Sequence, residues 1–490
     1  MSREVVIGLD IGTTSVKACV FDLHGKLIAE AERMNTFNYP QQGWVEQDPI
    51  EIEQSAVQAI KEAIQKAGIE KNDLISIGFS AAMHSLICVD QTGSPISPAL
   101  IWADGRSYPQ AESVIETMGN EVYSETGTPV HPMTPFVKLL WMKETNYEPY
   151  LQAKYFMSIK EYLLQCWFNQ RVIDYSMASA TGLFNPSTHT WNQKLLMLTG
   201  IHEAQLSRII PPTEVLTGIR PQIAKEMGID PELPFVIGAA DGQLANLGIG
   251  AILPGEVAVS VGTSGAIRQI TTGVKISDNQ ETFCYSFTED SSIIGGPTNN
   301  GGIALQWLKD LLNDQRSFTE FLADAEKVPL GSDGILFLPY INGERAPIWN
   351  QRAKGNFYGL SITHKREHFI RAVLEGVTFN LFQIGKALER LAGKHQKIYV
   401  NGGLSRSRLW LQMMADVFEA EIYVPESYHS AAWGAAWTAL VATGKVNSFE
   451  DIKENIPMGE AIVPIKENSE KYRMIYDNYE KLASVMSKNF

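Results

Sequence analysis

The chain begins with a short apolar run, Val5-Val6-Ile7-Gly8-Leu9-Asp10, that ends on an acid. Gly12-Thr13-Thr14-Ser15 interrupts it with small turn residues, and alternation resumes over residues 16–21. After a turn at 22–26, residues 27–32 read as a third strand. Apolar residues at three- and four-residue spacing then predict a helix over 50–67, followed by a strand over 75–80. Strands alternating with helices argue for an α/β fold.

The opening pattern recurs half a chain length later. Val259-Ser260-Val261-Gly262-Thr263-Ser264-Gly265 repeats strand, Gly-Thr turn and second strand, with Ser260 standing where Asp10 stands in the first copy. Chance similarity over seven residues is an alternative. Read as a repeat, it predicts two related domains with similar backbones and different chemistry. Between the copies, the apolar run Pro234–Ala240 ends in Asp241-Gly242, with turn residues after it, and this places the boundary between residues 1–246 and 247–490. Residues 431–444 are Ala- and Trp-rich and too short for a membrane span, so they predict a buried helix. Residues 467–490 predict a charged amphipathic helix with a solvated face.

Composition narrows the function. The 490 residues carry a net charge of −14 and contain no run of four basic residues, which disfavours a general nucleic-acid binder. A chain this long exceeds one hydrophobic core. Cys19, Cys88, Cys166 and Cys284 lie far apart, without the Cys-x-x-Cys spacing of a zinc or redox site, so reduced thiols in a reducing compartment are expected. Met1-Ser2-Arg3-Glu4 has an acid where a signal peptide would begin its apolar run.

Gly-Thr turns can hold phosphates, because small residues let backbone N–H groups approach phosphate oxygens and the hydroxyls add donors. Gly12, Thr13, Thr14 and Ser15 form one such turn, and Gly262, Thr263 and Ser264 the other. A third glycine cluster, Asn401-Gly402-Gly403-Leu404-Ser405, joins a strand over 397–400 to a helix over 408–418, where a nucleotide can lie close to backbone. Gly301-Gly302 opens another helix and is a weaker candidate for that role. Neither Gly-x-Gly-x-x-Gly nor Gly-x4-Gly-Lys-Ser/Thr occurs, which disfavours a Rossmann dehydrogenase and a P-loop NTPase. Asp10 and Asp241 each end a strand beside small residues. Either alone could cap a turn; beside phosphate loops they suit holding Mg²⁺ and accepting a proton from an attacking hydroxyl. Ser80–Ser85, Trp102–Arg106 and His131 supply polar and aromatic groups that suit a polyol, and suit structural roles equally well.

These motifs together resemble the FGGY carbohydrate kinases. Asp10–Ser15, Ile237–Gly242, Ser260–Gly265 and Gly402–Ser405 match in order, Met133–Trp141 resembles the family's first signature region, and Gly343-Glu344-Arg345-Ala346-Pro347 resembles its Gly-Glu-Arg-x-Pro. The resemblance covers nearly the whole chain. It implies two actin-like, ribonuclease H-like ATPase domains around a central cleft. Within the family, Ala82–Ser85, Trp102–Asp104, Gly127–Met133 and Ile159–Tyr162 are most similar to the bacterial kinases of gluconate. Ala82 stands where xylulose kinases usually carry Gln, and Ala103 where they often carry Asn. The resemblance implies ATP and Mg²⁺, with adenosine near Gly402, Gly403 and Ser405, phosphates on the two hairpins and Gly302, Asp10 and Asp241 at the metal, and Asp241 as general base. It implies sugar contacts from Met83, His84, Trp102 and Asp104, and makes Arg106, His131 and Lys160 the candidate cations for a substrate carboxylate. It further suggests a cytoplasmic enzyme with a small polyol substrate, in the homodimer common among members, with neither nucleic acid nor membrane as partner. A pentulose kinase, and an actin- or Hsp70-like ATP-binding protein without a sugar, are the alternatives.

Overall fold

The structure is a computed structural model that describes residues 4–426 and 429–489. Two six-stranded sheets organise it. The first holds β1 (Val5–Ile11), β2 (Ser15–Asp22), β3 (Leu27–Met34), β4 (Leu74–Ala81), β5 (Val215–Leu216) and β6 (Phe235–Ala240), in the order β5-β6-β4-β1-β2-β3. The second holds β7 (Glu256–Val261), β8 (Gly265–Thr272), β9 (Phe283–Ser286), β10 (Ser291–Thr298), β11 (Lys397–Gly402) and β12 (Glu421–Tyr423), in the order β9-β10-β8-β7-β11-β12.

The repeat read from the sequence is a repeat of topology. In both sheets an antiparallel hairpin (β1–β2, β7–β8) is extended antiparallel on one side, by β3 or β10. On the other side it is extended parallel, by β4 or β11. Parallel strands running to the same edge leave their C-terminal ends, and the turns after them, on one side of each sheet, where open α/β folds bind ligands.

The helices follow from local signals. In α1 (Pro49–Ala67), Asp48 accepts hydrogen bonds from the Ile50 and Glu51 amides, Pro49 opens the first turn, and Gly68 at φ 62° ends the helix. α2 (Asp241–Gly248) begins directly after β6, α3 (Gly302–Leu311) follows β10, and α4 (Arg366–Ala392) is the longest helix. α5 (Arg408–Phe418) lies where the sequence predicts it. α6 (Ser430–Ala442) is buried, as its composition implies, but it leaves its own half and packs against β1, β4 and α2. Contact there is backbone to backbone: a Cβ added at Gly8 would lie 1.8 Å from the Ala432 carbonyl oxygen, and one at Gly248 would lie 1.8 Å from that of Ser430. Val6, Phe21, Leu244, Trp433 and Trp437 share one apolar core across the two halves. At the start of α6, His429 reaches back to β3, with Nε2 3.0 Å from a Glu30 carboxylate oxygen.

α7 (Lys466–Met486) differs from its expectation. Tyr472, Tyr476, Tyr479 and Ala483 form a buried stripe, and the rings of all three tyrosines pack against Phe379 of α4. The charged residues between them mask, in the sequence, a face that belongs to the core.

Candidate active site

A cleft of about 320 Å³ lies between the two halves. It is lined from the first half by Thr13, Met83, His84, Trp102, Met133 and Asp241, and from the second by residues of the Gly262–Ser264 turn, Arg268, Tyr285 and Arg345.

The first hairpin is braced from behind. Asn35 Nδ2 donates to the Gly12 and Thr13 carbonyls at 2.9 and 3.2 Å, its backbone N–H donates to the Thr14 carbonyl at 2.8 Å, and Gln47 Nε2 donates to the Thr13 carbonyl at 2.8 Å. The Ser15 hydroxyl is committed to Glu32 at 2.6 Å, whereas Thr14 is exposed. In the second hairpin Gly262 N–H donates to the Ser264 carbonyl at 2.9 Å. The first turn of α3 then donates into it, Gly302 N–H to the Gly262 carbonyl at 2.7 Å and Ile303 N–H to that of Thr263 at 3.0 Å. Gly302 thus spends its amide on the hairpin. Carbonyls held from behind leave turns of fixed shape, suited to an anion on their open side.

The third glycine turn lies beside the second hairpin because β7 and β11 pair in parallel with Val261 opposite Gly402. Gly402 has φ 82°, and a Cβ there would lie 2.5 Å from the Val261 carbonyl oxygen, so glycine is required. Gly403 follows it, and Ser405 Oγ donates to the Gly402 carbonyl at 2.7 Å.

Asp241 is the first residue of α2, and its carboxylate accepts from the Gly242 amide at 2.6 Å. Burial and the charge of Asp10 push its pKa up to about 6, while Arg268 pulls it down. Asp10, near the end of β1, accepts from the Ser80 hydroxyl at 2.7 Å, and burial raises its pKa as well. The two carboxylates therefore act on each other, and a divalent cation would relieve that repulsion.

At the end of β4, Ala82 N–H donates to the Ile11 carbonyl at 2.9 Å and so sets Met83 and His84 on the cleft wall. His84 sits at φ 68°, its Nδ1 2.7 Å from the Ala180 carbonyl, and burial pushes its pKa down to about 3. A neutral ring with Nδ1 beside an acceptor carries its proton there and leaves Nε2 as an acceptor. Trp102 Nε1 donates to Thr13 Oγ1 at 2.9 Å, tying that wall to the first hairpin.

Four of the residues expected to contact the substrate do not line this cavity. Asp104 accepts from Val45 N–H at 2.7 Å and from Arg106 Nε at 2.8 Å, and Arg106 also pairs with Glu46 at 2.6 Å beneath the Trp44 ring. Lys160 is bound to Asp174 at 2.7 Å. His131 accepts at Nδ1 from the Met133 amide at 3.1 Å, and burial pushes its pKa down to about 3. These groups shape the walls behind the cleft.

Three residues without a role in the sequence reading stand out. Lys138 is fully buried, and its Nζ donates to the carbonyls of His84, Leu100, Ile101 and Met133 at 2.7, 3.1, 2.8 and 2.8 Å. It thereby clamps three segments of the cleft wall, although burial pushes its pKa down to about 7. Arg268 projects from β8 beside Gly242, and Arg345 lies over the Trp102 ring at 5.3 Å. A lone Arg within Ala266-Ile267-Arg268-Gln269-Ile270, a strand otherwise mostly buried, was the available signal.

Residues 5–248 match the N-terminal domain, and residues 257–443 the C-terminal domain, of the FGGY family of carbohydrate kinases. The chain is 42% identical to a gluconokinase of Bacillus subtilis over 99% of its own length and 96% of that protein. Two solved structures from Lactobacillus acidophilus, a gluconate kinase and a ligand-bound xylulose kinase, each superpose with a TM-score of 0.96 at 32% identity, covering 99% of this chain and 98% of theirs. Equal fits to both mean that the backbone does not separate the two sugars. With both halves matched, along with the hairpins and the acid at the foot of the cleft, the chain belongs to the FGGY family of carbohydrate kinases.

Proposed function

We propose that this kinase phosphorylates D-gluconate on its terminal hydroxyl, giving 6-phospho-D-gluconate. The observation that carries the mechanism is Asp241, a carboxylate at the foot of the cleft whose pKa of about 6 makes it a stronger base than a free Asp while leaving it ionised at neutral pH. The 42% identity to a gluconokinase supports the substrate.

ATP would supply the γ-phosphoryl group and Mg²⁺ would neutralise its phosphates, a donor set that the paired carboxylates Asp10 and Asp241 fit. The hairpins at Gly12–Ser15 and Gly262–Ser264 would hold the phosphates by their amides and hydroxyls. The Gly402-Gly403-Ser405 turn would lie along the adenosine. Met83, His84 and Trp102 would hold the sugar chain so that its last hydroxyl meets Asp241. Asp241 accepts that proton; the freed oxygen bonds to phosphorus, and the bond to the bridging oxygen of ADP breaks. Closing the cleft would exclude water, which otherwise competes as acceptor.

Asp241→Asn tests the assignment. Transfer to gluconate is expected to fall by roughly 10³-fold or more, with ATP still bound at near-normal affinity. The variant is also expected to gain about 1–2 kcal/mol of stability at pH 7, since a raised carboxylate pKa means that its ionised form is held at a cost. Normal turnover would remove Asp241 from the mechanism.

A further inference from the structure

The proposed substrate carries a carboxylate at the end opposite the reacting hydroxyl, so some cation must meet it. The basic groups that sequence resemblance nominates are engaged elsewhere: Arg106 with Asp104 and Glu46, and Lys160 with Asp174. His131 is neutral, and Lys138 points its ammonium at four backbone carbonyls.

Two guanidinium groups are placed differently. Arg268 and Arg345 both line the cleft that holds Asp241, Met83, His84 and Trp102. Arg345 is 9% exposed; its Nη2 donates to the Thr298 carbonyl at 3.2 Å, and its Nε is buried with no hydrogen-bond partner among the described residues. Arg268 also has a buried Nε without a partner. Neither is within ion-pair distance of a carboxylate among the described residues, although both neighbouring acids, Asp241 and Glu344, act on them through space. The two also repel one another, which adds to the effect of burial in lowering Arg345 to about 10. Like charges held together with donors unspent are an incomplete arrangement, and an anion completes it.

We propose that Arg268 and Arg345 form the carboxylate clamp of the substrate site and select sugar acids over neutral sugars. The inference rests on the gluconate reading given above. Arg345 belongs to a Gly-Glu-Arg-x-Pro segment whose Glu344 is locked by Thr298, Asn300 and Asn380, so its guanidinium is delivered by a rigid turn. Arg268 comes from the same half, on β8, shortly after the second hairpin. A carboxylate beside them would meet both guanidinium groups, while the six-carbon chain runs along Trp102 and His84 toward Asp241. A neutral polyol would leave both guanidinium groups unpaired, which disfavours it.

The test compares D-gluconate with D-glucitol, which has CH₂OH in place of the carboxylate, in wild type and in Arg268→Gln, Arg268→Lys and Arg345→Lys. Initial rates are read against each acceptor and against ATP, and gluconate binding without nucleotide is read by calorimetry. For Arg268→Gln the expected result is a gluconate KM and Kd raised by roughly 10- to 100-fold, an ATP KM within about twofold of wild type, and a narrowed preference over glucitol. Arg268→Lys and Arg345→Lys should lie between, since each keeps the charge and loses the fork. Thermal melting checks that each variant is folded, and the lysine variants carry the test if the glutamine variant is not. If wild type takes gluconate, and the variants lose kcat equally for both acceptors with KM and Kd unchanged, the arginines serve the phosphoryl group and the clamp is wrong. If wild type prefers a neutral ketose to gluconate, the gluconate reading fails and the clamp fails with it.

Discussion

Asp241 and Lys138 show how much of this site depends on single ionisable groups. In the proposed reaction Asp241 serves as base only when ionised, and its pKa of about 6 is held up by burial and Asp10 and held down by Arg268. The rate should therefore fall as pH drops through about 6. Asp10→Asn removes a neighbouring negative charge and should move that acid limb to lower pH, whereas Arg268→Gln removes a positive one and should move it to higher pH. Profiles of kcat/KM against pH for the three proteins check both signs, and limbs that coincide would contradict the coupling. Lys138→Met would remove the ammonium that ties the His84, Ile101 and Met133 carbonyls together, while the Leu100 carbonyl keeps the Leu86 amide. A loss of about 2–4 kcal/mol is expected, read as a lower melting temperature, with the sugar KM rising more than the ATP KM. Asp241, Met83 and His84 were legible because each sits in a short motif beside its strand. Arg106 and Lys160 stand away from the cavity: Asp104 holds Arg106 from two residues away, while Glu46 and Asp174 come from segments that no local pattern connects to Arg106 and Lys160.

At the scale of elements, the hairpins and the Gly402-Gly403 turn were legible for a physical reason. A strand, a tight turn and a close backbone approach leave a compositional mark wherever they occur. The strand β8 shows the opposite case: its residues are mostly buried on both faces, so alternation gives no sign of which side chain meets the cleft, and Arg268 went unassigned. α6 was legible as a buried helix, while its partner was not, because its crossing to β1 and α2 depends on glycines more than a hundred residues away. Gly248→Ala tests that crossing directly. Its new methyl would lie 1.8 Å from the Ser430 carbonyl oxygen, so α6 must move. A loss of about 1–3 kcal/mol is expected, with ATP-dependent turnover falling alongside it; a melting temperature equal to wild type would show that the contact is looser than described.

For the whole molecule, two sheets of the same topology line one cleft with different charge. Asp10 and Ser260 occupy equivalent places before their hairpins, and only the first carries charge. The second half answers with Arg268 and Arg345, so that the cleft has a carboxylate wall and a guanidinium wall. A chain with net charge −14 repels an anionic sugar at a distance, and in the proposed reading that local positive wall offsets the repulsion. The central claim is the identity of the acceptor. It is tested most directly by following ADP release with Mg-ATP against D-gluconate, D-xylulose, L-ribulose, glycerol and no acceptor. Strong stimulation by gluconate alone is the predicted result; stimulation by a ketose, with gluconate no better than the blank, would contradict it.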